Sequence, residues 1–190
     1  MSDVSFDQVI RSRRTTRAYR EEPVSEATLS ELVALATLAP TALGLQPWRF
    51  SIITNRDVLE RVNAEVKQAC LAMIGRLPGL ERARPALENE EYDIFYGAPA
   101  LVVIQGPRGN QTALLDCLLA AENLILAAHA RDLGTCFVGF LLLARDSQDI
   151  RRALAVEDGC EIVAPIIVGA SDAIPQTPPE REPAHIAWVR

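Results

Sequence analysis

One stretch of this 190-residue chain, residues 98–105, constrains the fold more than any other. It contains the run Leu101-Val102-Val103-Ile104, in which apolar side chains follow one another without alternation. Successive side chains of a strand point to opposite faces of a sheet, so a strand of this kind is buried on both faces. The sequence therefore predicts a central sheet that is covered by helices on both sides.

The other predicted elements alternate between helix and strand. Helices are indicated where apolar residues recur at helical spacing, and strands where short apolar runs lie between turn-forming residues. Pro165 lies inside the last predicted strand and favours a sheet edge or a bulge, because proline has no N–H to donate. Segment 75–97 shows no regular pattern, and the proline-rich tail 175–183 is predicted to be extended. The predicted helices are 5–13, 25–38, 57–74, 112–131 and 147–155, and the predicted strands are 49–54, 98–105, 135–143 and 161–168.

Composition indicates a globular protein in the size range of one domain. The chain is 49% apolar and 23% charged, and its formal net charge of −6 argues against a general nucleic-acid-binding protein. Its most apolar long stretch, 112–130, carries Asp116, Glu122 and His129, which would be costly in lipid. A helix buried on most sides in a protein core is the prediction, and no membrane partner is expected.

The cysteines and histidines predict no metal site. The four cysteines form no close pair and no zinc or thioredoxin-type motif, and the only histidines, His129 and His185, are far apart in the sequence. The N-terminal residues do not read as a signal peptide. Reduced thiols and a cytoplasmic location are therefore expected.

Positive charge is concentrated near the N-terminus of this acidic chain. A guanidinium group presents a planar fork of donors that matches a phosphate, and the hydroxyl of Thr15 adds another donor. Such a patch suits a small anion better than a long polyanion, although arginines at a helix end also simply oppose its dipole. The arginines in question are Arg11, Arg13, Arg14, Arg17 and Arg20.

The segment 39–48, Ala-Pro-Thr-Ala-Leu-Gly-Leu-Gln-Pro-Trp, is the most specific motif of the chain. Pro40 and Pro47 restrict its backbone, and the amide of Gln46 can form hydrogen bonds at both ends. A rigid turn between helix and strand, anchored by Trp48, explains the same residues. The two interpretations are compatible.

Together, the segments 13–17 and 39–48 resemble the FMN-dependent nitroreductase family, which has Arg-Arg-Ser-x-Arg followed by Ala-Pro-Ser-x-x-Asn-x-Gln-Pro-Trp. The segment 122–128, Glu-Asn-Leu-Ile-Leu-Ala-Ala, resembles the family's Asn-Leu-x-Leu-Ala-Ala helix. The segment 133–139, Leu-Gly-Thr-Cys-Phe-Val-Gly, resembles its Gly-Leu-Gly-Thr-Cys-x-x-Gly turn. Asp132 stands where the family often ends the helix with glycine, and aspartate tolerates the left-handed conformation needed there.

The resemblance implies an FMN site, and its residues carry over one by one. Gly44 stands where the family has asparagine, so only its backbone can replace that contact. No catalytic side chain is predicted, and no neighbour in the sequence would activate Cys136 as a nucleophile. The phosphate and ribityl chain would be held by Arg13, Arg14, Thr15 and Arg17, with Arg181 reaching the phosphate. The isoalloxazine ring would be approached by Pro40, Thr41, Gly44 and Gln46, and its N5 and O4 edge by the backbone amides of Cys136, Phe137, Val138 and Gly139.

The fold implied is an α+β, three-layer nitroreductase-like domain over residues 1–190, with a central mixed β-sheet flanked by helices and an extended C-terminal arm. The function implied is ping-pong hydride transfer from NADH or NADPH through FMN to a nitroaromatic, quinone or similar acceptor. Such enzymes are typically homodimers with FMN at the interface.

Two alternative functions remain open at this stage. The first is an FMN-binding protein with a sensing or storage role, which is suggested by Gly44 in place of the family's asparagine. The second is a flavoenzyme with a special substrate, for instance in dehalogenation or flavin cleavage, left open by segment 75–97. Within that segment, the aromatic side chains of Tyr92, Phe95 and Tyr96 fit either a pocket or the core, and core packing is the default.

Overall fold

A computed structural model describes residues 5–174 and 177–190 of the chain. Four strands form one sheet in the order β1-β2-β4-β3, in which neighbours pair antiparallel. The strands are β1 (Arg49–Ile53), β2 (Ala100–Pro107), β3 (Leu133–Phe137) and β4 (Cys160–Ala170).

The direction of the strands differs from the expected mixed sheet. All three ladders are antiparallel, and the one parallel pairing within the described residues is the bridge between Thr15 and Thr135. Unbroken apolar strands are typical of parallel sheets, because helices usually cover both faces of those. Here helices cover both faces of an antiparallel sheet, so the same pattern arises with the opposite strand direction.

Helices pack on both faces of the sheet, as the sequence predicted. Leu101 and Val103 of β2 face one core, and Val102 and Ile104 face the other, each with no exposed surface. Burying each such side chain contributes about 1.5–3 kcal/mol. The first core lies under α3 (Arg56–Met73), α6 (Gly139–Leu143) and α7 (Gln148–Ala153), and the second under α2 (Glu26–Ala36) and α5 (Gln111–His129).

Helices α1 (Phe6–Ser12) and α2 begin at polar caps. α1 starts with a capping box, in which Ser5 Oγ accepts from Gln8 N at 3.3 Å and Gln8 Oε1 accepts from Ser5 N at 2.9 Å. Ser25 caps α2 as predicted, accepting from Thr28 N at 3.1 Å. The segment predicted to be irregular holds a 3-10 turn, Leu80–Ala83, and α4 (Arg84–Glu88).

Two strand predictions need correction. The predicted strand 135–143 ends at Phe137, where the chain turns into α6, because a short apolar run does not by itself distinguish a strand from a buried helix. The edge position expected for Pro165 is also wrong, since β4 lies between β2 and β3. The bulge is present nearby: the β2–β4 register shifts between Ile104 and Gln105, which leaves Val163 unpaired.

Helix α5 is long and apolar enough to cross a membrane by length and composition alone. Its residues Cys117, Ala120 and Leu124 pack in the core against α2 and the sheet. The opposite side of the helix exposes leucines. The helix was predicted to be buried on most sides, but it is buried on one side only. Asp132 follows the helix with a φ of 59°, which is the left-handed conformation expected at that position.

The C-terminal residues 177–190 contain no helix or strand, which agrees with an extended tail. Pro175 and Gln176, the first two residues of the predicted tail, lie outside the described residues.

Candidate functional site

Four of the five arginines clustered near the N-terminus line one cavity of about 720 Å³ at the end of α1, whereas Arg20 pairs with Asp172 and is not part of the lining. The tail brings Arg181 to the same cavity, although it lies far away in the sequence. No carboxylate is among the lining residues in the described part of the chain, so the cavity carries a strong excess of positive charge. Its polar lining consists mainly of Arg11, Arg13, Arg14, Thr15, Arg17 and Arg181.

The arginine segment is held against strand β3. Thr16 has no exposed surface, and its N–H donates to the carbonyl oxygen of Thr135 at 2.9 Å. Gly134 makes this approach possible, because a Cβ built on it would lie 2.8 Å from the Thr16 side chain. The hydroxyl of Tyr19 donates to Thr16 O at 2.9 Å and closes the same turn. The sheet thereby fixes the position of residues 13–17.

Arg14 and Arg13 have different surroundings. The Arg14 guanidinium donates to the carbonyl oxygens of Arg11 and Arg13, both at 2.7 Å, and so caps the end of α1. Its Nε is buried without a hydrogen-bond partner among the described residues. The Arg13 side chain makes no hydrogen bond or ion pair within the same part of the chain. Two guanidinium groups at this cavity therefore retain donors for a bound anion.

A second cavity, of about 210 Å³, adjoins the first. Arg17 lines both cavities, which places them side by side. The second one gathers all four residues of the predicted turn 136–139 together with Tyr96, which the sequence left open as a pocket or core residue. It also contains two side chains that sequence reasoning missed, Ile94 and Phe140. Neither residue belongs to a motif: Ile94 lies in segment 75–97, and Phe140 follows the turn in α6.

Cys136 is a buried thiol in this second cavity. Burial raises the pKa of Cys136, and the nearby Arg17 guanidinium lowers it only in part. The group therefore remains a neutral thiol near neutral pH, which gives no support for a nucleophilic role. All four cysteines are buried and free.

The loop 40–46 lies apart from both cavities. Its predicted site residues Pro40, Thr41, Gly44 and Gln46 are not among the described lining residues of either one. Its backbone is unusual, because Leu43, Gly44 and Gln46 all have positive φ, of 53°, 68° and 49°. Leu43 is 95% exposed at the tip of the loop.

A buried carboxylate fixes the loop in place. Asp116 of α5 is only 5% exposed, and its two oxygens lie 3.2 and 3.3 Å from the backbone nitrogen of Ala42. Thr41 Oγ1 adds a contact to Gln46 N at 3.4 Å. The sequence indicated Asp116 only as a polar residue in an apolar helix, since its partner lies in a distant part of the chain.

Beside this loop, α5 exposes a row of leucines, of which Leu115 is 60% exposed. Contiguous exposed apolar side chains of this kind mark interaction surfaces. We call these residues the α5 apolar face: Leu114, Leu115, Leu118 and Leu119.

His129 is the last residue of α5 and contacts α1. Its Nε2 is 2.7 Å from Ser12 Oγ, which itself donates to Gln8 O at 2.7 Å, so Nε2 carries the hydrogen of the first contact. Burial lowers the pKa of His129 from its ordinary value of 6.5, and Arg13 lowers it further.

This shift predicts a pH-dependent stability. Because folding lowers the pKa of His129, the unfolded chain binds the proton more readily, and stability falls as the pH drops below about 6.5. We expect His129→Gln to reduce this loss by a few tenths of a kcal/mol, at most about 0.5 kcal/mol, since the ring is partly exposed and screened. Urea midpoints at about pH 7 and about pH 5.5 measure the loss, and His185→Gln, at an exposed site, is the control. Equal losses in wild type and His129→Gln would contradict the prediction.

Comparison with known proteins now identifies the class. The family model "Nitroreductase family" matches residues 10–170, and the chain belongs to this family. It is 26% identical to a 4-nitrobenzoate reductase from a Nocardioides species, covering 97% of this chain and 90% of the relative. It is 30% identical to a 5,6-dimethylbenzimidazole synthase from Rhodospirillum rubrum, covering 86% and 81%.

The fold agrees with this assignment. A crystal structure of a nitroreductase with bound FMN from Bacteroides fragilis superposes with a TM-score of 0.84. The match covers 98% of this chain and 99% of the other, at 23% sequence identity. The predicted α+β, nitroreductase-like fold is confirmed.

Proposed function

We propose that this protein is an FMN-dependent oxidoreductase. It takes hydride from NADH or NADPH and passes it, through bound flavin, to a nitroaromatic, a quinone or a similar small acceptor in a ping-pong cycle. One observation carries the proposal: a guanidinium-rich cavity adjoins an apolar cavity through Arg17 in a chain of the Nitroreductase family. A molecule with a phosphate at one end and an aromatic ring system at the other matches this pair.

The larger cavity fits the phosphate of FMN. Arg13, Arg14, Thr15, Arg17 and Arg181 supply the donors, and the buried Nε of Arg14 has no partner within the described residues. Charge-assisted hydrogen bonds from guanidinium groups to phosphate are short and strong. These five residues would hold the phosphate and the ribityl chain.

The smaller cavity would receive one edge of the isoalloxazine ring. The N–H of Val138 already donates to Pro165 O at 2.9 Å, so this group is not available as a donor to the ring. Gly139 and Phe140 begin α6, so their N–H groups have no partner within the helix and would face the ring. Cys136 and Phe137 would form the wall beside them. Bound FMN would supply the hydride chemistry, while Arg17 would place positive charge beside the ring.

The visible spectrum of the purified holoprotein, recorded anaerobically before and after addition of NADH or NADPH, tests the proposal. Bleaching of the flavin bands supports the oxidoreductase and shows which nicotinamide is preferred. A flavin spectrum that neither nicotinamide changes favours the sensing or storage role that Gly44 leaves open. A protein that takes up no added FMN contradicts both functions.

A flavoenzyme with a special substrate is the second candidate. Its support is the 30% identity to a relative named 5,6-dimethylbenzimidazole synthase. Flavin that is consumed during aerobic incubation with a reductant, rather than reoxidised, would favour this candidate over the first.

We propose a homodimer with FMN at the interface. Within one chain, the loop 40–46 is not among the described linings of the two cavities, yet it projects Leu43 into solvent beside the α5 apolar face. A second copy docked on this face would bring its loop, with Pro40, Thr41, Gly44 and Gln46, to the ring. We also propose a cytoplasmic location, supported by the free cysteines, with neither nucleic acid nor membrane as a partner.

Introducing charge into the α5 apolar face is expected to separate the dimer. Replacing both Leu115 and Leu119 with glutamate would bury two unpaired carboxylates from each subunit in the interface. This burial would weaken dimerisation by several kcal/mol. Light scattering should give the mass of a dimer for wild type and of a monomer for the double variant. The affinity for FMN should also be lower in the double variant, because the partner's loop no longer contacts the flavin.

The matched control for this experiment is Ile52→Glu, at an exposed position on the edge strand β1, which should stay dimeric. A monomeric wild type, or a double variant that remains dimeric, would contradict the proposed interface.

A further inference from the structure

The proposed function leaves segment 75–97 without a role, yet helix α3 anchors the end of this segment firmly. Lys67 is 9% exposed, and its Nζ donates to the carbonyl oxygens of Asn89 and Tyr92 at 2.6 and 2.9 Å. Asn63, one turn earlier, accepts from Ile94 N at 3.0 Å. Since a buried ammonium group is costly unless it is hydrogen-bonded, these contacts fix the backbone.

A strained turn then directs one side chain of the segment toward the site. The two carboxylate oxygens of Asp93 accept from Phe95 N and Gly97 N, each at 2.8 Å. Tyr96, between them, has a φ of 54°, a left-handed conformation that is unfavourable for a residue other than glycine. Its side chain lines the smaller cavity together with Arg17. Strain that surrounding contacts maintain is common where a side chain acts on a ligand.

Tyr96 is paired with a second tyrosine. The hydroxyl oxygens of Tyr92 and Tyr96 lie 3.0 Å apart. The two rings pack edge to face, with 5.9 Å between their centroids. Neither hydroxyl has another partner among the described residues. When Tyr92 donates to Tyr96, the hydrogen of Tyr96 is therefore free to point into the cavity. Burial, followed by the contact with Tyr96, raises the pKa of Tyr92, so this hydroxyl keeps its proton at neutral pH.

We propose that Tyr96 donates a hydrogen bond, and then a proton, to an oxygen atom of the acceptor, and that Tyr92 restores that proton. This inference rests on the proposed function and deepens it. The flavin ring edge would form one wall of this cavity, and the acceptor would stack on the ring at its mouth, within reach of Tyr96. The apolar side chains of Ile94, Phe137 and Phe140 line the same cavity, so the acceptor class is a planar aromatic molecule with a carbonyl or nitro oxygen.

For a quinone, the step balances. A hydride brings two electrons and one proton to the quinone, and Tyr96 supplies the second proton, which yields a hydroquinone. The O–H bond of Tyr96 breaks as an O–H bond forms on the acceptor. Tyr96 then takes a proton from the Tyr92 hydroxyl, and Tyr92 takes one from water.

The test uses holoprotein reduced anaerobically with dithionite, so that no nicotinamide is needed, and then mixed with a naphthoquinone or with ferricyanide. Ferricyanide accepts electrons without a proton and serves as the internal control. We expect Tyr96→Phe to slow quinone reduction by about 100-fold or more and Tyr92→Phe by less, with ferricyanide rates unchanged. Quinone reduction by wild type should be slower in D₂O, and this difference should disappear in Tyr96→Phe.

A binding measurement complements the rates. In the oxidised holoprotein, the dissociation constant for the quinone, read from the flavin absorbance, should rise up to about tenfold in Tyr96→Phe. The dissociation constant for FMN should stay unchanged.

Three results would overturn the inference: an unchanged quinone rate in Tyr96→Phe, an equal loss with ferricyanide, or a matching loss of FMN affinity. The last two would mean that Tyr96 contacts the flavin instead. Failure of the proposed function is separate, because it shows as wild-type flavin that nicotinamide does not reduce.

Discussion

Replacing Arg13 with alanine is expected to weaken FMN binding by about 10- to 100-fold, because a hydrogen-bonded charge contact contributes about 1.5–3 kcal/mol. Arg13 suits this experiment better than Arg14, whose guanidinium also caps α1 through Arg11 O and Arg13 O. The side chain of Arg13 makes no hydrogen bond or ion pair in the described part of the chain. Its removal should therefore leave the fold intact.

The measurement is a titration of the apoprotein with FMN, followed by flavin fluorescence, and repeated with riboflavin, which has no phosphate. Only the FMN value should change in Arg13→Ala, and Arg13→Lys should retain part of the affinity, since lysine keeps the charge but loses the fork of donors. Arg82→Ala, at an exposed position far along the chain, is the control and should bind FMN normally. Equal weakening of FMN and riboflavin would show that Arg13 does not act on the phosphate.

Replacing Gly134 with alanine is expected to destabilise the protein by about 1–3 kcal/mol, through overpacking. The new Cβ would lie 2.8 Å from three side-chain atoms of Thr16. Thr16 has no room to move, because it is fully buried and its N–H is bound to Thr135 O. The thermal midpoint should fall by about 3–10 °C for a chain of this size. FMN affinity should fall as well, since Thr16 holds the arginine segment on β3.

A double variant makes this prediction specific. Combining Gly134→Ala with Thr16→Gly removes the clashing side chain. The double variant should therefore lose less stability than the sum of the losses in the two single variants. Additive losses, or an unchanged midpoint in Gly134→Ala alone, would show that the strand and the arginine segment do not meet as described.

The helices and most strands could be predicted from local pattern. Helix α3 was predicted at 57–74 and runs Arg56–Met73, and β1 was predicted at 49–54 and runs Arg49–Ile53. Hydrophobic periodicity is a property of neighbouring residues, so it can be read from the sequence without knowledge of the fold. The same reasoning failed at residues 138–143, where a short apolar run was compatible with both strand and helix.

From local pattern, the candidate site was predictable only where its residues are close in the sequence, whereas Arg181 was assigned to it by the family resemblance. The segment 13–17 and the turn 136–139 each stand out as motifs, and the structure places Arg17 of the first beside the second. Asp116 carried no such signal, and Tyr96 was left between a pocket and the core, with core packing as the default. Tyr96 reaches the cavity through a turn fixed from α3, and Asp116 meets its partner Ala42 across 74 positions of sequence.

The sequence by itself determined which segments form helices and strands, which strand is buried on both faces, and where the positive charge is concentrated, because each depends on residues within a few positions of one another. The tertiary structure alone decided the antiparallel direction of the sheet, the central place of β4, the contact of Asp116 with Ala42, and the exposure of one face of α5. These features depend on contacts between distant segments, whose formation is governed by packing of the whole core rather than by any local pattern.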